Sequence, residues 1–190
     1  QPFGMSLGPM LKVPRHLPED LEPMQYLAVD GHDMPYIELG SGAPLVAIHG
    51  SLGDFRSWVP VMGPLSRRHL LIVPSLRRFF PEVWDGKGGG FTIPGHVADV
   101  IAFIEGLGHG PVHLMGHSRG GEAAPVAAAF NRLPYYPDDA TVTFDYNYNI
   151  RSVVAIAPVF EEYQPRGQHL PLENVNYFVL QGSNDSSIPT

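Results

Sequence analysis

Two kinds of hydrophobic pattern alternate along the chain. Short, mostly apolar runs at Leu45–Ile48, Leu70–Val73, Pro111–Met115, Ser152–Ala157 and Val175–Leu180 have the texture of strands buried on both faces in a parallel sheet. Between them, Ile93, Val97, Val100, Ile101, Ile104 and Leu107 step by three and four, which predicts a helix. Thr92 caps that helix, and Gly106, Gly108 and Gly110-Pro111 stop it. Alanine-rich Glu122–Arg132 predicts a second helix, and Phe55–Leu65 a shorter one with Trp58 and Val61 turned inward. Near the amino end, Met24–Val29 and Pro35–Leu39 flank Asp30-Gly31-His32-Asp33 as a hairpin.

Residues 1–23 lack periodicity and read as an irregular arm, and 133–151 as a polar, aromatic insert. The order is β-β-β-α-β-α-β-α-β-β, which predicts an α/β domain over 24–190. Its sheet is open and mostly parallel, with helices on both faces. Ligands of such sheets bind beyond the carboxyl ends of the strands. Three polar sets fall there: His49-Gly50-Ser51, Ser118, and Ser183-Asn184-Asp185.

Composition removes several function classes. The net charge of −7 and the lack of a basic run argue against a nucleic-acid partner. No apolar stretch has the length of a membrane span. The absence of cysteine excludes thiol catalysis and thiolate metal sites. His113 and His117 have no carboxylate neighbours spaced for zinc, so neither a metal nor a cofactor is expected. No leader pattern opens the sequence, a default cytoplasmic reading. The glycine run Gly86-Lys87-Gly88-Gly89-Gly90 lacks the Lys-Ser/Thr ending of a phosphate cradle and reads as a surface loop.

The chemistry concentrates in Leu114–Ala124. Gly116-His117-Ser118-Arg119-Gly120 fits G-x-S-x-G between a predicted strand and a predicted helix, the context of a nucleophile elbow. Backbones approach so closely there that a Cβ two residues before or after the serine would clash, while the serine takes a costly φ/ψ. Pro125, about two turns on, should kink the following helix.

With His49-Gly50 after the third strand and Gly182-Ser183-Asn184-Asp185 after the last, the chain resembles the α/β-hydrolase fold family over roughly residues 24–190. The resemblance implies Ser118 as nucleophile and Asp185 as the acid that orients a histidine base. It places the oxyanion hole at the N–H of Arg119 and one from Ser51 or Leu52. His49, Gly50, Gly116, His117 and Gly120 would support the elbow and loop. On this reading His49 is a hydrogen-bonder under the loop rather than a proton carrier. Phe55 and Trp58 are either walls of an acyl pocket or plain core, and Arg77 lines the entrance or is simply solvated.

The implied reaction is hydrolysis of small carboxylic esters or related acyl compounds through an acyl-enzyme, without cofactor. Serine at the elbow argues against dehalogenase and epoxide hydrolase chemistry, which attacks through a carboxylate. A cofactor-free haloperoxidase or perhydrolase, with peroxide as acyl acceptor, is the alternative within chemistry. A non-catalytic ligand-binding scaffold is the alternative outside it.

One departure from the family pattern matters. Its order is Ser, Asp, His, yet no histidine follows Asp185, and His169 precedes the last predicted strand. The expectation is an incomplete triad in these 190 residues, with a last strand, helix and histidine loop missing, and no labelling by a fluorophosphonate. The texture also changes across the elbow. Residues 24–121 resemble small haloperoxidase and ester hydrolase types, and 116–190 a larger bacterial serine hydrolase branch, the pattern of a recombined chain.

Overall fold

Alternation along each strand builds the domain. The computed structural model describes residues 24–51, 53–87, 89, 91–131, 133, 135, 136, 139–143, 149–158, 172 and 174–182. The strands are β1 (Gln25–Val29), β2 (His32–Gly40), β3 (Ala43–Ile48), β4 (His69–Pro74), β5 (Val112–His117), β6 (Tyr135–Tyr136), β7 (Asp139–Thr143), β8 (Ile150–Ile156) and β9 (Asn176–Leu180). The α-helices are α1 (Val59–Ser66), α2 (Ile93–Leu107) and α3 (Arg119–Phe130). Seven strands form one sheet in the order β1-β2-β4-β3-β5-β8-β9. β1 and β2 are antiparallel to their neighbours, and β4, β3, β5, β8 and β9 are mutually parallel. This is the predicted α/β architecture.

Both faces of the central strands are covered. Leu45, Ala47, Leu71 and Val73 pack with Ile37, Phe55, Trp58 and Met62 on one side. Val46, Ile48, Ile72, Leu114 and Val153 pack with α2 and α3 on the other. Period-two alternation with both sets apolar is why β3 and β4 read as continuous hydrophobic runs. Asp30 and Gly31 turn the hairpin with φ of 45° and 75°, a pair of left-handed residues suited to a two-residue loop.

Helix boundaries follow local chemistry. Thr92 is extended, its Oγ1 accepts from the Gly95 N–H at 3.2 Å, and α2 ends on left-handed Gly108 at φ 65°. Two expectations are corrected. Val61 is exposed and Met62 is the inward residue. From Trp58 onward the chain is α-helical, where i+4 returns closer to the same face than i+3. The helix after the elbow begins at Arg119 rather than Glu122 and contains Pro125. Within 133–151, β6 and β7 pair as a separate two-stranded sheet. The predicted arm at 1–23 lies outside the described residues. No described helix is long and apolar enough to cross a membrane.

Candidate functional site

β5 delivers Ser118 to the carboxyl edge of the sheet. The serine has φ 54° and ψ −119°, a conformation costly for any residue with a Cβ, and α3 begins at the next residue. Two hydrogen bonds hold it. Its N–H donates to the Ile156 carbonyl at 2.9 Å, and its carbonyl accepts from the Glu122 N–H at 3.1 Å. A Cβ on Gly116 would land on the Gly120 carbonyl group, and one on Gly120 would lie 2.6 Å from the His49 oxygen. Only glycine fits at either position.

The His49-Gly50 loop closes over the same point. A Cβ on Gly50 would come 2.9 Å from Ser118 Cβ and 3.1 Å from the His117 carbonyl. Beneath it, His49 is fully buried with both ring nitrogens engaged. Nε2 accepts from the Leu76 N–H at 3.0 Å, which leaves the proton on Nδ1 to donate to the Gly50 carbonyl at 2.9 Å. Burial pushes this ring down to about 4, so it is neutral at pH 7, outweighing the Gly50 carbonyl and Asp54, which act upward. With both nitrogens committed, His49 is placed to brace the loop and is not available to take a proton from Ser118.

Arg119 adds a link absent from the sequence reading. Its Nε donates to Ser51 Oγ at 2.7 Å, tying the first residue of α3 to the loop after β3. Its guanidinium lies 5.0 Å above the Phe91 ring. Phe91 meets His96 edge-on at 5.4 Å, and His96 is fully buried with neither ring nitrogen hydrogen-bonded. Burial lowers His96 to about 3. The charges of Arg119, His49 and Arg77 act in the same direction, against the Arg77 backbone.

The remaining candidates fall elsewhere. Phe55 and Trp58 are packed into the apolar cluster on the α1 side of the sheet. Arg77 forms a two-pronged ion pair with Asp99 of α2, whose side chain is 1% exposed, and Nε meets Oδ2 at 2.6 Å. His117 is exposed beside Ser118. Leu52 and Asp185 lie outside the described residues, as do Ser183, Asn184 and His169. The structure therefore brings together Ser118, the first turn of α3 and the His49–Ser51 loop. Among the described residues, no group of three or more His, Asp or Glu could hold a metal ion.

The first-turn N–H groups of α3 have no carbonyl one turn back within the helix. Such groups favour negative charge at their open end. Ser118 is half-buried at this end, and the Gly50-Ser51 backbone is its other neighbour.

No family model matches the chain. Over 104 residues it is 32% identical to the soluble epoxide hydrolase of Corynebacterium sp. (strain C12), covering 55% of this chain and 36% of that protein. A membrane phospholipase A described as a bacterial virulence factor superposes with a TM-score of 0.59 at 23% identity, covering 72% of this chain and 40% of that one. An α/β-hydrolase fold protein from Burkholderia ambifaria superposes with a TM-score of 0.57 at 18% identity, covering 71% and 44%. The chain has the α/β-hydrolase fold. It spans less than half the length of each of these three proteins.

Proposed function

We propose that the chain carries the nucleophile of a serine hydrolase that cleaves carboxylic esters, or related acyl compounds, through an acyl-enzyme on Ser118. The observation that carries this reading is the backbone of Ser118. A non-glycine residue at φ 54° and ψ −119° is held between glycines that tolerate no Cβ, at the open end of a helix. A strained, over-determined serine in that place has no structural purpose that glycine would not serve at lower cost.

In this reading Ser118 Oγ attacks the acyl carbon and the alkoxide leaves with a proton. The carbonyl oxygen gathers charge facing the Arg119 N–H and the loop at Ser51 and Leu52, and water then releases the acid. One such donor is typically worth about 10²–10³ in rate. Asp185 is assigned the orienting carboxylate. Hydrolase names among the relatives support the general class, and the phospholipase name fits acyl-ester cleavage. Epoxide opening through a carboxylate ester needs an acid at the elbow, where this chain has Ser118.

The test is intact mass after a fluorophosphonate probe, with and without added imidazole as an external base, and Ser118→Ala as control. The expected result is no adduct from the chain alone and one adduct on Ser118 once imidazole is supplied. An adduct without imidazole also supports the serine and shows that the chain furnishes its own base. No adduct in either condition, or equal modification of Ser118→Ala, overturns the proposal.

A further inference from the structure

The cation beside the nucleophile lacks a counter-charge. Arg119 spends Nε on the Ser51 hydroxyl and lays its guanidinium over Phe91, while Nη1 is buried with no hydrogen-bond partner. Three other arginines of the domain are paired with carboxylates, Arg56 with Asp54, Arg77 with Asp99 and Arg78 with Glu82, while Arg67, Arg68 and Arg151 are exposed to solvent. Among the described residues, no carboxylate oxygen lies within 4.0 Å of Arg119. Its surroundings are two neutral groups and an aromatic face: Ser51, His96 and Phe91.

A desolvated donor left without an acceptor is destabilising, the more so when charged. The same deficit is an affinity reserve for whatever brings the acceptor. Arg119 is half-buried beside Ser118, and a guanidinium binds a carboxylate through charge-assisted N–H···O bonds. Ser51 fixes the Nε edge, so the fork is already oriented, and Phe91 supports it from below. His96 is neutral and buried, so it neither competes for the anion nor neutralises it.

We propose that Arg119 is the specificity residue of the Ser118 site and that it recognises a carboxylate on the substrate, making the preferred substrate an ester of a dicarboxylic acid or another carboxylate-bearing ester. This rests on the serine hydrolase reading of Ser118, and it extends that reading from a reaction to a substrate class. Arg119 then has two parts: its backbone N–H faces the scissile carbonyl, and its side chain binds the remote carboxylate.

The experiment is ligand binding, which needs no turnover. Succinate, the acid product of such an ester, is titrated into the folded chain and followed through the Arg Nε–H signals in nitrogen-15 spectra. Succinamide is its uncharged counterpart. Succinate should shift the Arg119 signal and bind at least about tenfold more tightly than succinamide, as charge-assisted hydrogen bonds require. Arg119→Gln, checked for folding by its melting curve, should lose that preference. Arg119→Lys should keep part of it, since the charge stays and the fork is lost.

Equal binding of succinate and succinamide by the wild-type chain overturns the proposal, as does an undiminished preference in folded Arg119→Gln. The two claims separate cleanly. Succinate bound at Arg119 with no fluorophosphonate adduct at Ser118, with or without imidazole, sinks the nucleophile reading and leaves the carboxylate site standing. Labelling without succinate discrimination does the reverse.

Discussion

Replacing Gly116 by alanine tests the elbow where its geometry is tightest. Gly116 does not have a positive φ, so an alanine is permitted by its dihedral angles and the issue is space alone. The added Cβ would sit on the Gly120 carbonyl group and 2.6 Å from the Gly121 nitrogen. Both obstacles are backbone, so no side chain can swing aside. Relief requires the start of α3 to move off β5, dragging fully buried Ala123, Ala124 and Ala127 out of their packing on the sheet. Overpacking of this kind costs about 1–3 kcal/mol, and the rigid neighbours place Gly116→Ala at the upper end. For a chain of this size that is a fall in melting temperature of about 6–12 °C.

Gly63→Ala is the matched control. Gly63 lies in α1 with nothing within 4 Å of an added Cβ, so alanine should stabilise by about 0.5–1 kcal/mol. Paired thermal and urea melts decide the matter. If Gly116→Ala melts within about 2 °C of wild type, the close approach of strand and helix is refuted. If Gly63→Ala falls as far, the loss is generic to alanine and says nothing of the elbow.

Two further predictions concern buried charge. His49 and His96 are held neutral, at about 4 and about 3, against about 6.5 in an unfolded chain. Their contribution is complete above the unfolded value and is lost as pH falls toward the folded one, because the unfolded chain then binds the extra protons. Between pH 7 and 5 each should cost about 2 kcal/mol of stability. Urea midpoints across that range check this, and His49→Asn should show a shallower slope by about one proton; an unchanged slope contradicts the assignment. Arg77→Met leaves the Asp99 carboxylate buried and unpaired, and should cost about 3–5 kcal/mol in urea melts. The double variant Arg77→Met with Asp99→Leu should recover most of that loss, and a double variant no better than the single one would show that the pair is not the cause.

Elements set by local pattern were legible from the residues. β3 and β4 announce burial on both faces, Asp30-Gly31-His32-Asp33 announces a hairpin that turns on its first two residues, and Thr92 and Gly108 mark the ends of α2. The glycine spacing around Ser118 is local too, because the clash it avoids lies within one turn. What escaped were features defined by a partner far along the chain. Asp99 reads as a charge on a helix until Arg77, 22 residues earlier, is seen to meet it. Arg119 and Ser51 are 68 residues apart, and their bond exists only because β3 and β5 are neighbours in the sheet. His96 stands among apolar positions on α2, and its packing against the Phe79 and Phe91 rings is set by loops far along the chain. Val61 escaped for a smaller reason: i+3 and i+4 from Trp58 both lie near the inward face of an α-helix, and the core takes Met62.

The dihedral angles of Ser118 have a consequence for the sequence as it changes over time. Glycine adopts φ 54° and ψ −119° without penalty, and a strained backbone position of this kind costs of order 1–3 kcal/mol. Replacement by glycine is therefore a downhill step for folding at the one position where it abolishes the hydroxyl. A collection of variants screened only for heat resistance or yield would be drawn toward a sturdier, silent protein. Retention of serine there has to be enforced by what the hydroxyl does, since folding alone selects against it.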